Sequence, residues 1–329
     1  MEYLKLIRYK NLIFVGVIQI LIYWSVITPT LQTYGIYSQS PGWIVWCSIL
    51  ATILIAGGGY IINDYFDVKI DRINRADRLI VTRSIQKHEA MLYYQTVTAL
   101  GVVLGIVVSI AMRSITLGLI YIVVPGMLWF YSASYKRQLI IGNIIVSIAS
   151  ALVPLMPLII EAKSLNDIYG DLIHETPVLR NLYCIVCVFS FFAFIFILIR
   201  EIVKDMEDEP GDREMECHTI PVVWGSLTAK IIVSVLTVVA CVVLAWIAAL
   251  TEQYLPFTGS TTMRYAIFGI MLPSICMLSM LWFGGCRGYS NASIMLKFIM
   301  IIGLIYSLLY YYMLARQFGL TLFGVFKIA

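Results

Sequence analysis

Two groups of aspartates in this sequence have the same spacing. The first group consists of Asp64, Asp67 and Asp71. The second group consists of Asp205, Asp208 and Asp212. In both groups the intervals are three and then four residues, and positions at these intervals share one face of an α-helix. Each group therefore predicts three carboxylates side by side on one helix.

Three neighbouring carboxylates repel one another unless a cation neutralises them. Mg²⁺ suits this arrangement because it binds one or two carboxylates together with the phosphate oxygens of a substrate. Two such groups could hold a diphosphate between them through bridging Mg²⁺ ions, and Asn63 could bind the metal or hydrogen-bond to a diphosphate oxygen. The alternative is that these carboxylates are only solvated, as most charged runs are. The repeated spacing favours a metal site.

Both aspartate groups are predicted to lie on membrane helices. Of the 329 residues, 60% are hydrophobic and 13% are charged, whereas about 25% are charged in soluble proteins. About 20 apolar residues cross a bilayer as a helix, and the predicted spans are 11–29, 43–62, 90–111, 114–131, 139–160, 180–199, 230–250, 265–283 and 296–314. We therefore predict an all-α polytopic membrane protein, with nine transmembrane helices in a single bundle that forms one domain over residues 1–329.

The distribution of charge predicts the orientation of this bundle. Most of the 23 lysines and arginines fall in segments that share one side if the N-terminus is cytoplasmic, and basic residues accumulate on the cytoplasmic side of membrane proteins. The N-terminus is therefore predicted inside and the C-terminus outside. A net charge of +4 is too small to suggest a nucleic-acid partner.

Both aspartate groups are predicted at the cytoplasmic ends of spans, the second and the sixth. The break at Pro210 and Gly211 predicts that the sixth helix ends before Asp212. The four acidic residues of the outside segment 161–178 are dispersed and are expected to be solvated.

An ion-coupled transporter is the main alternative from another class of protein, because acidic residues in membrane proteins often mark ion pathways. Transporter sites lie near the membrane midplane on broken helices, whereas the charges here lie at the ends of charge-free spans. A scaffold protein would not need two groups of identical spacing. The pattern favours an enzyme that works at the cytoplasmic face of the membrane.

The sequence resembles the UbiA superfamily of intramembrane prenyltransferases along essentially its whole length. The resemblance lies in the NDxxDxxxD motif that begins at Asn63 and in the DxxxD motif from Asp208 to Asp212. Further matching residues are Arg8, Asn11, Tyr131, Ser132, Lys136, Arg137, Gly142 and Asn143. Segments 63–75 and 200–212 are similar to the geranylgeranylglycerol-phosphate geranylgeranyltransferase branch of this superfamily.

The resemblance implies an integral membrane enzyme that transfers a prenyl group from its diphosphate to a lipid or aromatic acceptor with the help of Mg²⁺. The implied metal ligands are Asn63, Asp64, Asp67, Asp71, Asp205, Asp208 and Asp212, of which Asp67, Asp71, Asp208 and Asp212 are the expected catalytic residues. The expected contacts to diphosphate and substrate are Arg8, Asn11, Arg72, Arg78, Tyr131, Ser132 and Lys136.

The branch resemblance favours geranylgeranyl diphosphate as donor and geranylgeranylglyceryl phosphate as acceptor. Arg75, Arg78 and Arg83 are candidates to bind the acceptor phosphate, because arginine forms strong charge-assisted contacts to phosphate. An aromatic acceptor, 4-hydroxybenzoate or a naphthoate, is the alternative. Surrounding membrane lipids are the other expected partners.

The sequence departs from the family pattern at two places. The first motif is usually followed by a proline-rich stretch, and here segment 76–83 reads ADRLIVTR instead. The second motif usually has a glycine four residues after its last aspartate, and here that position is Glu216.

Overall fold

A computed structural model describes residues 1–74, 79–254, 256–257, 260–323 and 326–327. Within these residues, nine helical segments are long and apolar enough to cross a membrane, which confirms the number predicted from the sequence. They are Tyr9–Thr33, Gly42–Phe66, Lys87–Ala111, Ile115–Ala133, Ile141–Tyr169, Val178–Glu214, Ile220–Thr251, Thr261–Phe283 and Arg287–Phe318. Most of them extend beyond the predicted bounds, because a charge-free window detects only the apolar part of a helix.

The described chain contains fourteen α-helices and a short C-terminal hairpin. The helices are α1 (Glu2–Leu6), α2 (Tyr9–Leu21), α3 (Thr28–Thr33), α4 (Gly42–Phe66), α5 (Val68–Asn74), α6 (Lys87–Ala111), α7 (Ile115–Ala133), α8 (Ile141–Tyr169), α9 (Leu172–Glu175), α10 (Val178–Glu214), α11 (Ile220–Thr251), α12 (Thr261–Tyr265), α13 (Leu272–Phe283) and α14 (Gly285–Phe318). The hairpin pairs β1 (Thr321–Leu322) with β2 (Phe326–Lys327) in antiparallel fashion.

Two of the spans contain a π-helical stretch followed by a proline. Ile22–Ile27 precedes Pro29 in the first span, and Ala266–Met271 precedes Pro273 in the eighth. Proline has no backbone N–H and its ring occupies the space of the preceding turn, so a locally wider helix accommodates it. Both spans therefore continue through a residue that would otherwise interrupt them.

Close packing between spans depends on small residues. Gly105 of α6 lies against the ring of Tyr121 in α7, and a Cβ atom at this position would overlap the ring. The Tyr121 hydroxyl in turn hydrogen-bonds to Ser48 Oγ of α4 at 2.7 Å. Lipid gives little hydrophobic drive for helix association, so close approach and buried hydrogen bonds hold membrane helices together. This triplet joins α4, α6 and α7.

Helix α10 does not end before Asp212, and that prediction was wrong. The helix continues through Pro210 to Glu214. Proline forfeits only one backbone hydrogen bond here, and the side chain of Asn74 supports the same turn: its Nδ2 donates to the Asp208 carbonyl at 3.1 Å, and its Oδ1 accepts from the Gly211 N–H at 3.0 Å. All three aspartates of the second group therefore lie on one helix.

One of the four acidic residues in segment 161–178 also differs from its prediction. Glu161 of α8 is 0% exposed rather than solvated. Its carboxylate accepts hydrogen bonds from Ser38 Oγ at 2.9 Å, from the Gln39 N–H at 2.7 Å and from the Tyr23 hydroxyl at 3.2 Å. These contacts fix the loop between the first two spans, so Glu161 has a structural role.

Candidate active site

The first aspartate group spans the junction between α4, which holds Asp64, and α5, which holds Asp71. The prediction of three carboxylates on one helix was therefore wrong for this group, because a turn at Asp67 separates the two helices. Asp67 occupies this junction and is only 4% exposed. Its Oδ2 accepts a hydrogen bond from Asn63 Nδ2 at 2.7 Å and an ion-paired hydrogen bond from Lys136 Nζ. Both contacts fall on the same oxygen, and Oδ1 has no hydrogen bond within the described part of the chain. Asp67 thus keeps one oxygen for a further cation.

Lys136 comes from the short 3₁₀ segment Tyr135–Arg137 after α7. This segment passes so close to α8 that a Cβ at Gly142 would lie 2.9 Å from the Tyr135 carbonyl oxygen. Burial disfavours the charged form of Lys136, but the attraction of Asp67 is stronger, and the net effect raises the pKa of Lys136 above its ordinary value. Lys136 also interacts electrostatically with Asp71, so it is a fixed cation within the first group.

Arg8 supplies a second cation. Its backbone is left-handed, with φ of 52°, at the break between α1 and α2. The side chain donates to Asp64 Oδ1 at 2.6 Å, and its guanidinium lies 5.1 Å from the centre of the Tyr60 ring. Burial opposes the charge of Arg8, but Asp64 outweighs it and raises the pKa of Arg8. Because left-handed backbone is costly for residues other than glycine, the strain indicates a constrained position.

The second group lies on α10 and has its own supporting residues. Asp205 accepts a hydrogen bond from Asn143 Nδ2 at 2.8 Å, and Asn143 is buried near the start of α8. Asp212 is 6% exposed and accepts from Thr219 Oγ1 at 3.3 Å. Asn74, which immobilises the turn that contains Asp208, belongs to the same helix as Asp71. Hydrogen bonds of Asn74 therefore join the helix that holds Asp71 to the helix that holds the second group.

The two groups also lie close enough to interact electrostatically. Asp212 of α10 interacts with Lys136, which follows α7, and with Asp67, at the junction of α4 and α5. Tyr131 at the end of α7 interacts with Lys136, Asp67 and Asp205. The tertiary structure thus assembles carboxylates from residues far apart in the chain around one lysine.

Of the remaining predicted residues, Asn11 borders the large cavity described below. Ser132 is buried, and its hydroxyl donates to the Leu128 carbonyl at 3.0 Å within its own helix. Arg72 is exposed on α5, and Arg83 is exposed before α6. Arg75 and Arg78 lie outside the described residues.

A cavity of about 570 Å³ begins beside this site and runs along the inside of the bundle. Its site end is bordered by Lys10, Asn11, Tyr60, Arg200 and Lys297, and its wall reaches Cys184 on α10 and Tyr310 on α14. Arg200 and Cys184 are sixteen residues apart on one helix, which corresponds to about 24 Å. Most of the wall is apolar. The cavity can therefore accept a long hydrocarbon chain with a polar head at the site.

The donor set fits Mg²⁺ that is shared with a phosphorylated ligand. Within the described residues, no three Asp, Glu, His or Cys side chains converge closely enough to hold a metal ion unaided. Mg²⁺ commonly binds through one or two carboxylates and completes its shell with water and phosphate oxygens. The unused Asp67 Oδ1 and the facing aspartates of α10 match that mode of binding.

Several residues that support the site were not among the predicted site residues. They are Asn74, Asn143, Arg200, Thr219 and Lys297. Asn74 follows Asp71 by three residues, so helical spacing could have indicated it. Arg200 and Lys297 lie at the ends of apolar spans, where basic residues are common, so their type and position gave only a weak signal. Thr219 has no comparable signal, because its position depends on how α11 packs against α10.

Comparison with known proteins identifies the family of this chain. The UbiA prenyltransferase family matches residues 26–272. A digeranylgeranylglyceryl phosphate synthase of Methanosphaera stadtmanae is 30% identical over 193 residues, which are 59% of this chain and 62% of that protein. The chain thus spans about three fifths of the length of the curated relatives that it matches.

Solved structures share the fold. A digeranylgeranylglyceryl phosphate synthase structure has a TM-score of 0.62 at 23% identity and covers 94% of this chain and 97% of its own. A UbiA homologue from Archaeoglobus fulgidus, bound to GPP and Mg²⁺, has a TM-score of 0.55 at 15% identity and covers 94% and 99%. The extent of the family match is decisive: this chain belongs to the UbiA prenyltransferase family.

Proposed function

We propose that this protein is a Mg²⁺-dependent prenyltransferase that transfers a geranylgeranyl group from its diphosphate to geranylgeranylglyceryl phosphate. The proposal rests on one observation. The two aspartate groups lie close together, beside the site end of a long apolar cavity. A prenyl diphosphate has the matching form, with a highly charged head and an apolar tail. Family membership favours an enzyme over a transporter.

The head of the donor would bind between the two groups. Asn63, Asp64, Asp67 and Asp71 on one side, and Asp205, Asp208 and Asp212 on the other, would hold Mg²⁺ together with the diphosphate, as the Archaeoglobus homologue solved with GPP and Mg²⁺ suggests. The metal would neutralise the charge that develops on the leaving diphosphate. Lys136 and Arg8 would contribute fixed positive charge at the same place.

The tail of the donor would lie in the cavity. A geranylgeranyl chain has sixteen carbons in its main chain, and bonds of about 1.5 Å give it an extended length on the order of 20 Å. The cavity wall follows α14 from Lys297 to Tyr310, thirteen residues or about 20 Å. This agreement in length supports a donor of twenty carbons.

The reaction would form one carbon–oxygen bond and break another. The bond from C1 of the prenyl chain to the diphosphate oxygen breaks first, so that the diphosphate leaves with the electron pair and an allylic cation remains. The acceptor hydroxyl oxygen then attacks C1. The hydroxyl proton would pass to a carboxylate of the site or to the released diphosphate, because an alcohol that attacks an allylic cation needs only a weak base. Relatives named digeranylgeranylglyceryl phosphate synthase support a glycerol-phosphate acceptor.

A direct assay tests this proposal. Purified protein in lipid nanodiscs is incubated with radiolabelled geranylgeranyl diphosphate, Mg²⁺ and one acceptor at a time: geranylgeranylglyceryl phosphate, 4-hydroxybenzoate or a naphthoate. We expect product only with the first acceptor, loss of product with EDTA, and recovery when Mg²⁺ is restored. Efficient prenylation of 4-hydroxybenzoate alone would contradict the acceptor assignment and leave prenyl transfer intact. Product formation in EDTA would contradict the metal requirement.

A further inference from the structure

Three cations border the site end of the cavity without belonging to either aspartate group. Lys10 lies on α2, Arg200 on α10 and Lys297 on α14. Neither lysine has an ion-pair partner within the part of the chain that the structure describes. A charge that is enclosed between membrane helices is costly, and it usually pairs with another charge or marks a ligand site.

Arg200 is the most constrained of the three. Its side chain is only 17% exposed, and Nη1 pairs with Glu201 at 2.8 Å. Its Nε is enclosed and has no hydrogen-bond partner among the described residues. Glu201 is shared with Lys204 at 3.4 Å, so this one carboxylate faces two cations. The guanidinium therefore has donor capacity that the protein does not use.

The local charge balance at the mouth is positive. Lys297 lies within electrostatic range of three cations, Arg200, Lys204 and Arg8, and of one carboxylate, Glu207. Arg8 is already paired with Asp64, and Lys204 with Glu201. An anion bound beside Lys10, Arg200 and Lys297 would balance this positive charge.

This position differs from that of the donor diphosphate. Arg200 precedes Asp205 by five residues on α10, so it lies about 7.5 Å deeper along the helix axis. The diphosphate belongs with the aspartates and Mg²⁺, and the prenyl C1 follows it into the cavity. An anion near Arg200 would therefore lie on the cavity side of C1, away from the leaving group.

We infer that Lys10, Arg200 and Lys297 form a binding site for a lipid phosphate monoester, the head group of the acceptor. The inference rests on the proposed function and deepens it by assigning the acceptor phosphate to these residues instead of Arg75, Arg78 and Arg83. Two phosphate-bearing substrates repel each other, and separate cations allow both to bind. The acceptor phosphate takes no covalent part in the reaction, and its binding positions the hydroxyl near C1.

The lysines alone could be explained as side chains that reach for the membrane surface, since lysine often does so at helix ends. Arg200 does not fit that explanation, because its guanidinium is largely enclosed and borders the cavity. A phosphate of an ordinary anionic membrane lipid has the same chemistry as the acceptor head group. The experiment must therefore separate these two sources.

The test measures binding and turnover in nanodiscs made only of zwitterionic lipid. Radiolabelled geranylgeranylglyceryl phosphate is bound to the wild type, to Lys10→Gln and to Lys297→Gln without donor or Mg²⁺, with geranylgeranylglycerol as the competitor that lacks phosphate. We expect each variant to bind the acceptor about 10-fold more weakly, the scale of one lost charge-assisted contact. Competition by geranylgeranylglycerol, measured as its own inhibition constant, should be unchanged.

Turnover provides the second readout. The acceptor KM should rise about 10-fold in each variant while the donor KM stays the same, and Lys297→Arg should restore the acceptor KM. Arg316→Gln, at the opposite end of α14 and exposed, is the matched control and should match the wild type. Arg200→Lys should weaken acceptor binding as well, because lysine cannot reproduce the guanidinium geometry.

The possible outcomes separate the two hypotheses. Equal weakening of the phosphorylated and unphosphorylated lipids, or no weakening of either, overturns the phosphate site. Displacement of the acceptor by phosphatidic acid as strongly as by unlabelled acceptor would assign the site to membrane lipid and also overturn it. Phosphate-dependent binding without turnover in the wild type would support the site and contradict the proposed reaction. Failure of the wild type to bind the acceptor overturns both.

Discussion

The carboxylates of Asp67 and Asp205 use only part of their hydrogen-bonding capacity within the protein. Asp67 Oδ2 accepts hydrogen bonds from Asn63 and Lys136, and Asp205 Oδ2 accepts one from Asn143. These partners orient each carboxylate without surrounding it. A carboxylate held in this way is pre-organised for a cation, since its orientation is fixed before the metal arrives.

Loss of a single aspartate should therefore be severe. We expect Asp67→Ala, Asp71→Ala, Asp208→Ala and Asp212→Ala each to lower kcat by at least ~10²-fold, the scale for losing one charge stabiliser of a transition state. The measurement is turnover of geranylgeranyl diphosphate at saturating Mg²⁺. Glu214→Gln, an exposed acid at the end of the same helix, is the control. Near-normal turnover in any two of the four variants would contradict the metal clamp.

The backbone conformation at Glu216 accounts for the glycine that is usual at this position in the family. Glu216 has φ of 55° and follows the end of α10, where the Cys217 N–H bonds to the Asp212 carbonyl at 2.8 Å and the Glu216 N–H bonds to the Arg213 carbonyl at 3.3 Å. These two bonds form a Schellman motif, whose left-handed position favours glycine. A glutamate there is strained.

Glu216→Gly should therefore stabilise the protein. Relief of the left-handed strain, less the added freedom of the unfolded glycine, should raise the free energy of unfolding by about 1 kcal/mol. The measurement is thermal or denaturant unfolding in one detergent, with Glu216→Ala as the matched control. An unchanged or lower stability of the glycine variant relative to both would show that the backbone is not strained there.

At the scale of elements, α5 and α10 hold the two aspartate groups in register. Their connection is the double hydrogen bond of Asn74 to the turn around Pro210. A Cβ at Gly211 would clash with the Asn74 side chain, so the two helices approach closely at this point. The second group depends on this contact because proline has weakened the helix locally.

Asn74→Ala should loosen the register between the two groups. We expect the Mg²⁺ concentration for half-maximal activity to rise several-fold, and stability to fall by about 1–2 kcal/mol as two bonded backbone groups lose their partner. The measurement is activity against Mg²⁺ concentration, with exposed Ile73→Ala as control. A large fall in stability with an unaltered Mg²⁺ dependence would show that Asn74 supports the fold alone.

At the scale of the whole molecule, the length of the cavity limits the length of the prenyl chain that can bind in it. Gly303 borders the cavity on α14, six residues or about 9 Å from Lys297. A Cβ at this position would meet only Ile270 Cδ1, at 4.0 Å. A larger side chain can therefore project into the cavity without disturbing the helix.

Gly303→Phe should shorten the donor that the protein accepts. We expect kcat/KM for geranylgeranyl diphosphate to fall by ~10-fold or more while geranyl diphosphate, whose ten carbons end before the obstruction, is used as before. Gly303→Ala, which leaves the cavity open, is the matched control. An equal loss with both donors would contradict a tail that extends past Gly303.

The orientation in the membrane is a separate prediction for the whole molecule. A cysteine introduced at Asp167 should react with an impermeant maleimide on intact cells, and one at Lys87 should react only after permeabilisation, because basic residues concentrate on the predicted cytoplasmic side. Unsubstituted protein measures the background from its native cysteines. The opposite labelling pattern would invert the predicted orientation.

The number of spans, and the composition and spacing of both aspartate groups, could be predicted from the sequence alone. These features are local: hydrophobicity over about 20 residues and intervals of three and four residues need no knowledge of distant contacts. Asn63 can be predicted from its place beside Asp64, whereas Lys136 is predicted only by the resemblance to the UbiA superfamily.

How these local elements meet depends on contacts between distant segments, which could not be predicted from the sequence. The continuation of α10 through Pro210 depends on Asn74 of another helix, and the enclosure of Glu161 depends on Tyr23 and Ser38. The contacts of Asn143 and Thr219, and the cavity that Arg200 borders, likewise arise between segments far apart in the chain. Hydrogen bonds and enclosure of this kind depend on the packing of several helices, which no single stretch of sequence contains.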